Sequence, residues 1–232
     1  MAFKRAAHRN IAEALASMDA ERLRQYRCYF AGGTAIVLQN GEYRQSLDVD
    51  FLCADAHGYR ELRSRAVRDG IAGFFGTKAI ALRDFRADQY GLRTAFEWAG
   101  QTIKFEIVRE ARIALDGAMD HQLGLAVLSR SDQCAEKLLA NADRCLDRSV
   151  AYRDAIDLGY LALADGGRFS EAAIAKAEAA YGDDIRRKAL IAFERLADEG
   201  ERRHAATTLD MRPEDAARGA EAFQAAVTLA GW

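Results

Sequence analysis

The chain has 232 residues but a single proline, Pro213, and no run approaching the roughly 18–20 consecutive apolar residues a membrane span needs. The start, Met1-Ala2-Phe3-Lys4-Arg5, leads into a charged helical pattern instead of a signal-peptide core, so a cytoplasmic location is expected and a membrane partner is not. Cysteine is sparse as well. Cys28, Cys53, Cys134 and Cys145 form no Cys-x-x-Cys pair, and His8, His57, His121 and His204 lie far from them, so zinc-site spacing is absent and reduced, mostly buried thiols are expected. His57 and His121 have no carboxylate or cysteine partner at suggestive spacing and receive no role. A strong charge of either sign is also missing, since the formal net charge is −2. Residues 1–110 hold 17 basic against 14 acidic side chains and residues 111–232 hold 16 against 21, an asymmetry too small to establish nucleic-acid binding.

What is present is the balance of a folded protein, with 50% apolar and 29% charged residues. Ile11, Leu15, Met18 and Leu23 recur at helical spacing and predict one amphipathic helix from Phe3 to Arg27. Tyr29-Phe30-Ala31 runs into Gly32-Gly33-Thr34 and then Ala35-Ile36-Val37-Leu38, a tight turn leading into a helix. Over Gln45–Cys53 the chain alternates, with Leu47, Val49 and Phe51 on one side and Asp48 and Asp50 on the other, the period of a strand with one buried face. A helix is expected over 58–73, with Arg60, Arg63, Arg65 and Arg68 around its surface, and a strand over 79–86. Gly91–Arg109 reads as a hairpin. Thr94, Phe96 and Trp98 alternate before Ala99-Gly100-Gln101, and Ile103, Phe105 and Ile107 alternate after it, leaving Lys104 and Glu106 on the opposite face.

From Ser131 onward only helices are expected, over about 131–146, 149–164, 170–180, 184–198 and 213–230, with Ser131, Ser170 and Pro213-Glu214 as starts. Gly166-Gly167 reads as a turn and Glu199–Arg203 as an exposed connection. The expected division is a mixed α/β domain over 1–125 and a helical domain over 126–232.

Two carboxylates at i and i+2 on a strand lie on the same side of the sheet, close enough to hold a hard cation such as Mg²⁺, which takes a few carboxylates plus phosphate oxygens. Asp48 and Asp50 meet that need. Nucleotidyl transfer asks for positioning and charge neutralisation more than for a covalent group, and the Gly32-Gly33-Thr34 turn can present backbone N–H donors to an anion. Taken singly, an Asp-x-Asp also suits an exposed polar edge and a Gly-Gly pair a plain turn. The ordered combination of Gly-Gly-Thr, short helix, Arg44-x-Ser46, Asp48-x-Asp50 and a later strand carrying Glu106 is more specific.

In that order, Gly32-Gly33-Thr34-Ala35 through Arg44-Gln45-Ser46-Leu47-Asp48-Val49-Asp50-Phe51 resembles the first motif of the nucleotidyltransferase superfamily with a DNA polymerase β-like palm. Within it, the chain resembles the AbiEii/AbiGii toxin family of type IV toxin–antitoxin systems. Lys104-Phe105-Glu106 resembles the second motif, Glu136-Lys137-Leu138-Leu139-Ala140 the third, and Arg153-Asp154-Ala155-Ile156-Asp157-Leu158 the fourth, so the resemblance spans about residues 28–165. It implies an α/β (α+β) palm with a mixed sheet and a C-terminal helical region. It also implies an enzyme that moves a nucleoside monophosphate from a nucleoside triphosphate to an acceptor hydroxyl with Mg²⁺ or Mn²⁺.

By resemblance, Asp48, Asp50, Lys137 and Asp154 or Asp157 are catalytic, and Gly32, Gly33, Thr34, Arg44, Ser46 and Lys137 hold the nucleotide. Asp48 and Asp50, with Glu106 in the place of a third carboxylate, hold the metal, and the helical region closes the cleft. The acceptor implied is RNA, at the 3′ end of tRNA, and the partner a separately encoded antitoxin; DNA is not expected. A small hydroxylated acceptor such as an antibiotic, a non-catalytic nucleotide or RNA sensor, and a purely structural module are the alternatives.

The residues carry second readings of their own. Lys137, Asn141 and Arg144 fall on one helical stripe opposite Leu138 and Ala142, as a solvated face would. Arg153 stands four residues before Asp157, the spacing of an intrahelical ion pair. Glu106 suits a cross-strand pair with Lys or Arg, and the Arg60–Arg68 cluster suits either RNA phosphates or plain solvation.

Overall fold

Alternation over residues 91–109 dictates the longest pairing in the protein. β5 (Gly91–Trp98) and β6 (Gln101–Arg109) form an antiparallel hairpin whose register joins Trp98 to Gln101 and Leu92 to Ile107. Ala99 and Gly100, both at positive φ (50° and 77°), make the two-residue turn that the twist of paired strands favours. Ile103, Phe105 and Ile107 are buried while Lys104 is exposed, as the pattern requires.

The structure, a computed structural model, describes residues 3–232. Met1 and Ala2, the first two residues of the opening charged segment, lie outside the described residues. By internal contacts the chain forms two units: residues up to Leu38 with Ser46–Ser129, and Gln39–Gln45 with Arg130–Trp232. The seven residues 39–45 thus belong with the helical part, an excursion that a single division after residue 125 does not contain.

The first unit is built on one mixed sheet. β1 (Cys28–Ala31) pairs antiparallel with β2 (Val49–Cys53) and parallel with β8 (Leu125–Leu128), and β2 pairs parallel with β6. β7 (Gly117–Asp120) closes one edge against β8, and β3 (Ile80–Ala81) and β4 (Arg86–Ala87) both pair with β5 at the other. The strand order is β3-β5-β6-β2-β1-β8-β7, with β4 beside β5. The expected strand over 79–86 is therefore two short edge strands. Ile80, Ala81, Leu82 and Arg86 are all exposed, so no buried face holds the segment in one continuous pairing.

Four helices accompany the sheet: α1 (Ala6–Ala16), α2 (Ala20–Gln25), α4 (Ala56–Asp69) and α5 (Ala72–Phe75), while α3 (Gly32–Gln39) follows β1 directly. Ile11, Leu15, Leu23, Leu62 and Phe75 pack with Phe30, Phe51, Phe96 and Phe105 in the main core. The expected helix over 3–27 is broken at Ser17–Asp19, because the Ser17 hydroxyl donates to the Ala14 carbonyl and the Asp19 carboxylate caps the next helix at Arg22 N–H (3.1 Å). β7 and β8 were not expected; Leu125-Ala126-Val127-Leu128 is buried throughout and so shows no alternation.

The second unit contains α6 (Arg130–Arg144), α7 (Arg153–Ala164), α8 (Glu171–Tyr181), α9 (Asp184–Ala197), α10 (Glu199–Thr208) and α11 (Pro213–Leu229). Ser170 caps α8 and Pro213 opens α11, as expected, while α6 begins at Arg130, one residue before Ser131. The connection expected at 199–203 is instead the first turn of α10. Asp198 accepts from Glu201 N–H (2.9 Å) and Arg203 pairs with Glu199 one turn back, overriding the helix penalty of Gly200. Among the described residues no helix is long and apolar enough to cross a membrane.

α7 and α11 meet backbone to backbone. A Cβ on Gly159 would stand 1.9 Å from the Gly219 carbonyl oxygen, and a Cβ on Gly219 would meet Ile156 and Tyr160. Gly159→Ala is therefore expected to force the two helices apart, at a cost of about 1–3 kcal/mol, seen as a lower midpoint of thermal or urea unfolding. An unchanged midpoint would contradict this close approach.

Candidate active site

Each unit carries one group of the residues singled out by sequence. In the first, β1 ends at Ala31, and Gly32, at φ +72°, turns the chain from strand into α3. That left-handed conformation favours glycine, and a second constraint acts on the same residue: a Cβ there would lie 2.6 Å from Oδ2 of Asp50. The strand register explains this approach. Ala31 is the partner of Asp50 across the β1–β2 ladder, so the residue that follows β1 reaches the Asp50 side chain.

Val49, Phe51 and Cys53 are fully buried, whereas Asp48, immediately before β2, and Asp50 are partly exposed. The period-two reading of this segment therefore holds, although regular strand begins only at Val49. Thr34, buried in the first turn of α3, donates to the Ser46 hydroxyl (2.9 Å), and the Ser46 N–H donates to Nε2 of the fully buried His8 (3.3 Å). Two of the expected nucleotide-binding residues are thus bonded to each other, and a histidine 38 residues from Ser46 supports them. Gly33 follows Gly32 in the same turn.

Glu106 stands beside Asp50 in the parallel β2–β6 register, and its carboxylate is taken by Arg93 of β5 at 2.5 Å, a cross-strand pair on a one-third-exposed side chain. Among the described residues no three His, Cys, Asp or Glu side chains gather as a ready metal site. The hard oxygen donors that could hold a divalent ion here are the partly exposed Asp48 and Asp50 carboxylates, the second of which lies against the Gly32 turn. Arg60 and Arg68 are exposed on α4, and Arg68 pairs with Asp69.

In the second unit Arg44, Lys137, Asp154 and Asp157 come together. The Arg44 guanidinium grips Asp157 through two hydrogen bonds of 2.8 Å, Tyr43 donates its hydroxyl to the same carboxylate at 2.6 Å, and Lys137 reaches it at 2.7 Å. Lys137 also binds Asp154 at 2.8 Å, and Arg144 binds the other side of Asp154 at 2.8 Å. Three cations therefore surround two carboxylates. Only Arg144, with a side chain 40% exposed, is not buried.

Burial pushes the Asp157 carboxyl up, but Arg44 and Lys137 outweigh it and hold the group far below the usual carboxylate range. For Asp154 burial is again opposed, by Lys137 and Arg144, and the shift is downward. Burial drives the Tyr43 hydroxyl well above its ordinary value, with the Asp157 charge adding to it, so Tyr43 stays a donor.

These contacts change two readings made from helical spacing. The stripe of Lys137, Asn141 and Arg144 is not a solvated face, because Lys137 and Asn141 are buried and α6 is covered on that side by α7. The aspartates of α7 are bound by residues of other segments, Arg44, Lys137 and Arg144, and not by an intrahelical partner. Tyr43 and His8 were not found by sequence reasoning. Tyr43 lies beside Arg44, which gave a local cue; His8 gave none, because its partner is far along the chain.

An unpaired buried charge is costly, so Asp157→Ala, which strands Arg44 and Lys137, is expected to destabilise by about 3–5 kcal/mol in denaturant unfolding. The two aspartates have lowered pKa values, so their stabilisation is complete above the unfolded carboxylate value of about 4 and is lost as pH falls through that value toward the folded one. Thermal midpoints should therefore drop below about pH 4, and less steeply in Asp157→Asn, which removes one of the titrating groups. Equal slopes would show that Asp157 is not ion-paired.

Residues 13–229 match the family described as Nucleotidyl transferase AbiEii toxin, Type IV TA system. Among solved structures the chain is similar to a protein from H. pylori with a provisional nucleotidyltransferase assignment, at 19% identity and a TM-score of 0.53, over 96% of this chain and 92% of that one. It is similar to JHP933 from Helicobacter pylori at the same identity and TM-score, over 98% of this chain and 92% of that one. At such identity these likenesses speak for the fold. No curated relative matches the chain. With motif order, mixed sheet and family match in agreement, the chain belongs to the AbiEii nucleotidyltransferase toxin family of type IV toxin–antitoxin systems.

Proposed function

We propose that the protein transfers a nucleoside monophosphate from a nucleoside triphosphate to a hydroxyl of RNA, at the 3′ end of tRNA, using a divalent cation held by Asp48 and Asp50. The observation that carries this reading is the fit of the Asp50 carboxylate into the space a Gly32 side chain would fill. It sets a carboxylate directly against the glycine turn that opens α3, where a metal-bound phosphate could be met by backbone N–H groups. Bound Mg²⁺ or Mn²⁺ would neutralise phosphate charge and polarise the reacting phosphoryl group.

The chain's own residues do the rest of the positioning. Gly32 and Gly33 let the backbone approach phosphate oxygens, and Thr34 with Ser46 fixes the start of α3 so that its N–H groups keep their direction. Glu106, neutralised by Arg93, serves to hold the strand beside Asp50 and is not assigned to the cation. Lys137 is the phosphate-neutralising cation, and Asp154, Asp157, Arg44 and Tyr43 lock its position. The surplus positive charge of that cluster and the buried Asn141 amide nitrogen, which has no hydrogen-bond partner, supply the donor chemistry an anion needs. In the reaction the acceptor oxygen bonds to the α-phosphorus as the bond to the β-phosphate oxygen breaks. The hydroxyl proton is lost and pyrophosphate leaves.

Family membership implies nucleoside triphosphate as substrate and a separately encoded antitoxin as partner, and we assign both to this chain. The test is incubation with labelled triphosphates, Mg²⁺ and either total RNA or a panel of small hydroxylated acceptors. Label is expected in the RNA pool alone, with Asp48→Ala and Asp50→Ala each reducing incorporation by at least about a hundredfold, the loss of a term worth several kcal/mol. Wild-type rates in either variant would overturn the assignment, and label only in small acceptors would replace RNA as substrate. Gly32→Ala, which drives a methyl into the Asp50 carboxylate, should also lose incorporation while keeping its circular-dichroism spectrum; full activity would disprove the role given to this turn.

A further inference from the structure

Cys28 and Cys53 stand directly opposite each other across the antiparallel β1–β2 ladder. The hydrogen bonds around them fix the kind of site they occupy. Ala54 N–H donates to the Arg27 carbonyl (3.1 Å), so the Arg27/Ala54 position is hydrogen-bonded and the adjacent Cys28/Cys53 position is not. In agreement, the Cys53 carbonyl is turned the other way and accepts from Glu110 N–H (3.1 Å). Non-hydrogen-bonded positions bring opposing Cα atoms to about 4.5 Å, with side chains closer still. That separation lies inside the range of about 4.4–6.8 Å that disulfides span.

Both side chains point into the same core, beside Phe30 and Phe51. The thiols are also in contact. Burial raises the Cys28 thiol well above its ordinary value, while the hydrogen bond from Cys28 lowers that of Cys53. Cys53 is thus the better nucleophile of the two and Cys28 the sulfur placed to resolve it.

We propose that Cys28 and Cys53 are an oxidation site of this protein, closing to a cross-strand disulfide in the presence of a small peroxide. The Cys53 thiolate attacks one peroxide oxygen, the O–O bond breaks, and a sulfenic acid and one water form. The Cys28 sulfur then displaces the hydroxyl, giving the S–S bond and a second water. One hydrogen peroxide accepts the two electrons and the two thiol protons leave with the oxygen atoms. Because both sulfurs are fully buried, a compact oxidant is required, admitted by local opening of the strand ends. The bond would tie the strand that leads into Gly32 to the strand that carries Asp50.

The test exposes the native full chain to hydrogen peroxide, alkylates the remaining thiols after denaturation, and maps peptides without reduction. The expected product is a linked peptide pair containing Cys28 and Cys53, two hydrogens lighter than its parts and released by dithiothreitol, with Cys134 and Cys145 alkylated. The oxidised protein should melt at a higher temperature than the reduced one, because the bond matches the existing register and constrains the unfolded chain. In Cys28→Ser, the same treatment should leave Cys53 as a sulfinic or sulfonic acid, its resolving partner gone. Recovery of both Cys28 and Cys53 as alkylated thiols, separate over-oxidation in the wild-type chain, or disulfides made only to Cys134 or Cys145 would each overturn the proposal.

Discussion

The approach of Gly32 to the Asp50 carboxylate is the constraint around which the first unit is arranged. A strand must end at Ala31, its neighbour must adopt positive φ, and that neighbour must carry no side chain, because the volume is already occupied by Asp50 Oδ2. The β1–β2 register sets the approach, and that register follows from Phe30 and Phe51 sharing the core face. A slip of one residue would send Asp50 into the core and Phe51 to the outside. The apolar alternation of β2 thereby determines on which side the acidic pair lies.

Two carboxylate pairs stand in opposite environments. Asp48 and Asp50 are partly exposed, and Asp50 lies against the Gly32 turn, so their hard oxygen donors could meet a cation. Asp154 and Asp157 are buried and each is already held by two cations, which keeps them ionised. Such a buried cluster adds little net stability over an apolar one, since desolvation offsets most of the attraction, but it fixes Lys137 with both partners in place. A lysine held this way has little conformational freedom left to lose.

Legibility in the sequence followed burial pattern. The hairpin at 91–109 and the β2 segment were readable because one face of each is buried and the other is not, so alternation survives. β8, buried on both faces, had no period to read, and β3 and β4, exposed, had none either. The helix over 3–27 was overextended because apolar spacing continues across Ser17–Asp19 and only the Asp19 cap reveals the break. α10 was missed because its charged residues look like a connection, although Asp198 and Glu201 stand at cap spacing. For the candidate site, the Gly32–Asp50 set was legible from local order. The roles of Lys137 and Asn141 were ambiguous because a polar stripe reads alike whether water or other helices cover it.

The sequence by itself determined what is local: the glycine turn, the side of β2 on which Asp48 and Asp50 lie, the hairpin and the helical character of the second half. These depend on backbone sterics and on periods of two or 3.6 residues, which are written within a few positions of each other. Tertiary structure decided which distant groups meet. Arg44 finds Asp157 across 113 residues, His8 finds Ser46 across 38, and Cys28 comes to face Cys53 only through strand register. Such pairings depend on how surfaces pack once chain entropy has been overcome, and spacing along the chain does not encode them.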